Sequence, residues 1–265
     1  MNVFKFELKS NLKSSLIWIL VLCGVAYFFM MIFPAYLENS AGILEILKKY
    51  PPELLKALGM DIDQFFTALG FYSFVLVYIE LIAAMQAMML GLGCSGREIR
   101  TKTSDFLITK PIKRWQILLA KVSVVLLILI VTNILLSITS VIALNQVATT
   151  SFSMTALLLV NISTFLLQLI FASLGILLGV VFRKLRSVAP VSLGIVFGFF
   201  VVNMLKAIFN DAWIQYVSPF QFFEKYVIIA TQSFNLVMLL WCLLLIFGFS
   251  LLSFIIYTNK DIHAV

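Results

Sequence analysis

Charge is scarce in this chain. Of its 265 residues only 12% are Asp, Glu, Lys or Arg, against roughly a quarter in soluble domains. Histidine occurs once and cysteine three times. His263 stands alone in the C-terminal stretch; Cys23 and Cys242 sit in the first and last apolar runs and Cys94 at the edge of the second, with neither a Cys-x-x-Cys nor a Cys/His ligand spacing. That leaves no basis for a structural metal site or a histidine-based triad. Nor does a Gly-Lys dipeptide occur anywhere. The G-x-x-x-x-G-K-[ST] loop that cradles a nucleotide is therefore missing.

What fills the chain instead is apolar. Hydrophobic residues make up 62% and the mean hydropathy is +1.09, which identifies an all-α polytopic membrane protein. The net charge of +7 does not indicate a nucleic-acid partner, because the cations are confined to short segments between apolar runs. They report orientation in the membrane.

Six runs are long enough to cross a hydrocarbon core of about 30 Å at roughly 1.5 Å per residue. They span residues 15–36, 70–93, 117–144, 154–182, 188–205 and 233–257, and the whole chain reads as one transmembrane domain. Ahead of the first run, residues 1–14 place Phe4, Leu8 and Leu12 on one helical stripe beside Lys5, Lys9 and Lys13. This predicts an interfacial elbow helix; the competing signal-peptide outline lacks a small-residue cleavage site. Residues 38–69 form a net acidic outer loop, with two short amphipathic helices around Tyr50-Pro51-Pro52. Residues 207–232 are amphipathic and broken by Pro219, and fit a re-entrant or interfacial segment better than another span. With this layout fourteen of the nineteen Lys/Arg fall inside and five outside, and both termini are cytoplasmic.

Two features carry chemistry. Glu80 lies near the middle of the second run. A charged carboxylate facing lipid there costs roughly 2 to 3 kcal/mol or more, so the residue faces the protein interior or is neutral. Two readings stand side by side: a transport path or gate, and an interhelical hydrogen bond from a protonated carboxyl. Gly175 and Gly179, four apart in the fourth run, give the small-residue spacing of close helix packing.

The second feature is the polar stretch from Gly96 to Lys121, inside the loop 94–116 and its exit. It carries Arg97, Arg100, Lys102, Lys110, Lys113, Arg114 and Lys121 against only Glu98 and Asp105. Such a loop is cytoplasmic. Within it Thr103 to Lys110 can make two helical turns, capped by Thr103 or Ser104, with Asp105 in the first turn and Pro111 as the stop. As a bare basic patch the loop would fix topology and touch anionic lipid.

The order Arg97-Glu98, then Thr103-Ser104-Asp105-Phe106-Leu107, Lys110-Pro111, Lys113-Arg114 and Ile117-Leu118-Leu119-Ala120-Lys121 resembles the cytoplasmic coupling helix of ABC-2 type permeases. Family members usually carry Gly-Thr ahead of the helix and Gly-Lys after it, where this chain has Lys102-Thr103 and Ala120-Lys121. Tyr216-Val217-Ser218-Pro219-Phe220 also resembles the proline-containing segment that these permeases carry before the sixth span.

The resemblance implies a non-catalytic half-transporter paired with a second copy, a homodimer being the simpler expectation. A separate ATPase in two copies would bind ATP and Mg, leaving no cofactor in this chain. It further implies that Arg97, Glu98, Thr103, Ser104, Asp105, Phe106, Leu107 and Pro111 couple to that ATPase, with Phe106 and Leu107 as apolar knobs. Export of a hydrophobic or amphipathic cargo, such as a peptide toxin or antimicrobial, is the expected function. The cluster Phe28, Phe29, Met30, Met31, Met85, Met88 and Met89 offers an adaptable surface for it. The alternatives are a gradient-driven transporter or channel with Glu80 in its path, or an intramembrane enzyme, for which Glu80 alone makes no site.

Overall fold

The computed structural model describes residues 3–51, 54–55, 58–97, 113–149, 151–182, 184–209 and 214–259. Six helices are long and apolar enough to cross a membrane: α1 (Val3–Glu38), α2 (Ala68–Ser95), α3 (Arg114–Val147), α4 (Met154–Val181), α5 (Val188–Phe209) and α6 (Leu236–Asn259). No strand occurs among the described residues. In lipid a helix satisfies its own backbone groups, which is why long apolar runs take this form. The ends need other partners, and side chains supply them. Thr67 Oγ1 accepts from the Gly70 N–H at 3.0 Å and opens α2, and Ser153 Oγ accepts from the Ala156 N–H at 3.3 Å and opens α4.

The bundle is built around α2 and α4, which are mostly buried, whereas α1, α5 and α6 turn most of their surface outward. α2 and α4 run parallel, and glycine fixes how closely they meet. A Cβ on Gly91 would stand 2.3 Å from the Ala172 carbonyl oxygen, and one on Gly175 would stand 2.7 Å from that of Met88. Only glycine allows the two backbones this approach. The spacing of Gly175 and Gly179 thus marks a real helix contact, and its α2 partner Gly91 sits in the matching small-residue series Ala83, Ala87, Gly91 and Ser95.

α1 and α3 run antiparallel to this pair. One end of the bundle holds Glu7, Arg97 and Lys121; the opposite end is closed by an aromatic cluster. There Phe71 packs on Phe33 with ring centroids 5.1 Å apart and on Phe65 at 5.5 Å.

α1 departs from the sequence reading. In place of an elbow over 1–14 and a separate span, one helix continues from Val3 to Glu38. Over its first half the stripe it buries is polar, with Glu7 and Ser15 buried and Asn11 half-buried, while Phe6 and Leu12 face outward; from Leu22 to Phe33 the buried stripe is apolar. A helix in lipid saves most by turning its hydrogen-bonding groups toward other protein groups, which inverts the soluble pattern.

Between α1 and α2 lie the short helices Ser40–Leu47 and Ile62–Phe65. Between α5 and α6 the chain breaks into Ile214–Val217, a 3-10 turn at Pro219–Gln221 and the helix Lys225–Thr231. Pro219 suits the first position of its turn, where no backbone N–H is needed. This broken segment is pinned into the bundle. Ser218 Oγ donates to the Phe199 carbonyl at 2.9 Å, and Phe220 packs between Phe171 and Phe200 with centroids 5.4 and 5.5 Å away.

Candidate functional site

Glu80 sits twelve residues beyond the start of α2, or about 18 Å down its axis at the usual rise. It is 2% exposed. Its Oε2 forms a salt bridge with Lys225 Nζ, and its Oε1 accepts from Thr164 Oγ1 at 3.4 Å. Of the two readings from the sequence, a transport path or gate and an interhelical hydrogen bond, neither named Lys225 as a partner; the contact to Thr164 is interhelical. An isolated charge at this depth would be costly, but an opposed pair is locally neutral. Lys225 begins the short helix Lys225–Thr231 and is itself buried. Nothing local in the sequence marks a lysine whose partner stands far away in the chain.

Above and below the pair runs a ladder of buried polar side chains. Tyr72 Oη donates to Asn161 Oδ1 at 2.6 Å, and Asn161 Nδ2 donates to Ser140 Oγ at 2.9 Å. On the other side Gln168 Nε2 donates to Gln86 Oε1 and to the Ala83 carbonyl, both at 3.3 Å, and Gln86 Nε2 donates to Thr132 Oγ1 at 3.2 Å. These bonds knit α2, α3 and α4 together where water cannot serve as partner.

Tyr226, next to Lys225, faces the loop before α2. Its hydroxyl donates to the Gly59 carbonyl and accepts from the Asp61 N–H at 3.2 Å. Burial pushes its phenol well above the ordinary tyrosine range. It therefore stays a neutral donor and acceptor. Residues 225 and 226 together join the middle of α2 to the loop ahead of it.

A second charged cluster lies where α2 ends. Arg97 Nη2 stands 3.3 Å from Glu7 Oε2 and donates to Asn11 Oδ1 at 3.2 Å. Arg97 Nη1 donates to Ser10 Oγ, and the guanidinium carbon lies 5.9 Å from the centroid of the Phe6 ring. Lys121 Nζ stands 3.5 Å from Glu7 Oε1 and donates to the Cys94 carbonyl. One buried carboxylate thereby holds α1, the end of α2 and the first turns of α3 together.

Of the residues assigned to coupling, the structure places Arg97 in this cluster; Glu98, Thr103, Ser104, Asp105, Phe106, Leu107 and Pro111 lie outside the described residues. Glu7 and Lys121 were missed as a pair. The signal available was that Glu7 is the sole acid among the first 37 residues and lies one helical turn before Asn11. The suggested cargo cluster does not gather on one surface: Met30 and Met88 are buried in the core, whereas Phe28, Phe29 and Met31 face outward.

Residues 1–262 match the family model described as ABC-2 family transporter protein. The chain belongs to that family. No curated protein matches it. An ABC-2 permease is a membrane subunit that works with an ABC ATPase and has no catalytic activity of its own. Among the described residues no group of His, Cys, Asp and Glu is arranged to hold a metal ion.

Proposed function

We propose that this ABC-2 permease is the membrane half of an ATP-driven exporter, with its ATPase docked on residues 103–111. The observation that supports this reading most is the Glu7–Arg97–Lys121 cluster. It clamps both ends of the basic stretch to α1, so a force applied to the intervening segment acts on three helices at once. A surface patch that served only to fix topology would need no such anchoring.

In this reading the loop 94–116 and both termini are cytoplasmic, and residues 38–69 and 207–232 face outside. Phe106 and Leu107 fill an apolar cleft of the ATPase, while Asp105 and Ser104 make cap and charge contacts. Two copies of the chain pair as a homodimer and two ATPase subunits bind ATP and Mg. The cargo is a hydrophobic or amphipathic molecule such as a peptide toxin or antimicrobial. The sealed pairing of Glu80 with Lys225 supports a positioning role for Glu80 over a place in an open ion path.

Purification of the tagged chain from its native membrane tests the reading. A stoichiometric ATP-binding subunit with ATP hydrolysis in the eluate is expected, lost on Phe106→Asp. An ATPase that remains bound to Phe106→Asp would overturn the docking site, and a complex with no ATPase would overturn the mechanism.

A further inference from the structure

The function proposed above needs events at the Arg97 end to reach the opposite end of the bundle. α2 leads from the segment before Arg97 to Glu80, one of the residues that hold the broken segment 218–231. Its register against α4 is fixed. With Gly91 and Gly175 in backbone contact and the ladder Tyr72–Asn161, Glu80–Thr164 and Gln86–Gln168 made along the same interface, neither helix can slide without breaking several buried hydrogen bonds. Packed elements of this kind move as a unit.

The broken segment packs on this unit through Phe220 against Phe171 of α4, and polar contacts also hold it to α5. Ser218 bonds α5, and Gln221 Nε2 donates to the Asn203 carbonyl of α5 at 3.1 Å. Lys225 on Glu80 ties it to α2. At mid-depth in the bundle that tie resists separation, because pulling the pair apart exposes two bare charges to a low-dielectric surround. Tyr226 then carries the connection onward to Gly59 and Asp61.

We propose that Lys225 is a positioning residue for transport: through Glu80 it makes the segment 225–231 and the loop at 59–61 follow α2, so that a displacement begun beside Arg97 is delivered to the far end of the protein. The proposal rests on the permease reading for the source of the displacement. The tie itself does not depend on it. Glu80 need not touch cargo at all, and the charge pair works through geometry.

The test separates the tie from mere stability by removing both charges together. Glu80→Gln/Lys225→Met leaves no unpaired charge, so the chain folds, while Glu80→Lys/Lys225→Glu keeps a pair with its signs exchanged. In the purified permease, amide hydrogen exchange over 225–231 is expected to speed up at least tenfold in the neutral double variant and to return to within twofold of the parent in the exchanged one. Unchanged exchange in the neutral variant would overturn the proposal.

In the complex with its ATPase, ATP with vanadate is expected to alter exchange both at 91–97 and at 225–231 in the parent. In the neutral variant only the change at 91–97 should remain, with ATP hydrolysis within twofold of the parent. A change at 225–231 that survives in the neutral variant would also overturn it. A parent complex that shows no change at 91–97 contradicts the permease mechanism, and the tie is then judged by the exchange of the permease alone.

Discussion

The two buried charge clusters solve the same problem at different depths. At mid-bundle a single carboxylate meets a single ammonium, Glu80 with Lys225, and both are closed off from outside. At the Arg97 end one carboxylate, Glu7, is shared by two cations, Lys121 and Arg97; Glu7 and Lys121 are as buried as the inner pair, and the difference lies in Arg97, whose side chain keeps 15% of its surface exposed. A surplus positive charge is tolerable where water and head groups are near and intolerable where they are not. The inner pair must therefore be balanced, whereas the outer cluster lies where an exposed guanidinium is tolerated.

Unbalancing the two sites by the same change should expose this difference. Glu80→Gln strands the Lys225 ammonium at mid-depth and should cost about 3 to 5 kcal/mol, seen as a large drop in the fraction of protein that stays monodisperse after a heat challenge. Glu7→Gln leaves two cations that still have the Cys94 carbonyl and Asn11 as partners. Its cost should be about 1 to 3 kcal/mol in the same assay. If the two losses were equal, depth would not be what distinguishes the clusters.

Smaller effects sharpen the contrast. Lys121→Met removes one of the two cations at Glu7 but leaves Arg97 at 3.3 Å, so a loss of about 1 kcal/mol is expected. Tyr72→Phe deletes one uncharged rung of the ladder and should cost about 0.6 kcal/mol, the typical size of an interhelical hydrogen bond in a membrane protein. A loss from Tyr72→Phe as large as that from Glu80→Gln would mean that the ladder, and not the ion pair, holds the mid-section.

The layout was legible because it follows from run length and composition. Six apolar stretches predict six helices, and the Gly175 and Gly179 spacing predicts a close contact. Partnership was not legible. Glu80 stands out as an acid in an apolar run, yet Lys225 lies 145 residues away, and no periodicity links them. Glu7 was hidden for a different reason. The apolar stripe Phe4, Leu8 and Leu12 was read as the face of interest, whereas in lipid the polar stripe is the one that seeks protein. The coupling residues from Glu98 to Pro111 rest on motif resemblance and on the way the flanking Arg97 and Lys121 are anchored.

The central claim is that the ATPase works on the Arg97 end. A photoreactive amino acid placed at Phe106 or, in a separate sample, at the exposed Val227 tests it in the native membrane. An adduct with an ATP-binding polypeptide from position 106 and none from 227 is the expected result. Such an adduct from 227, or none from 106, would contradict it.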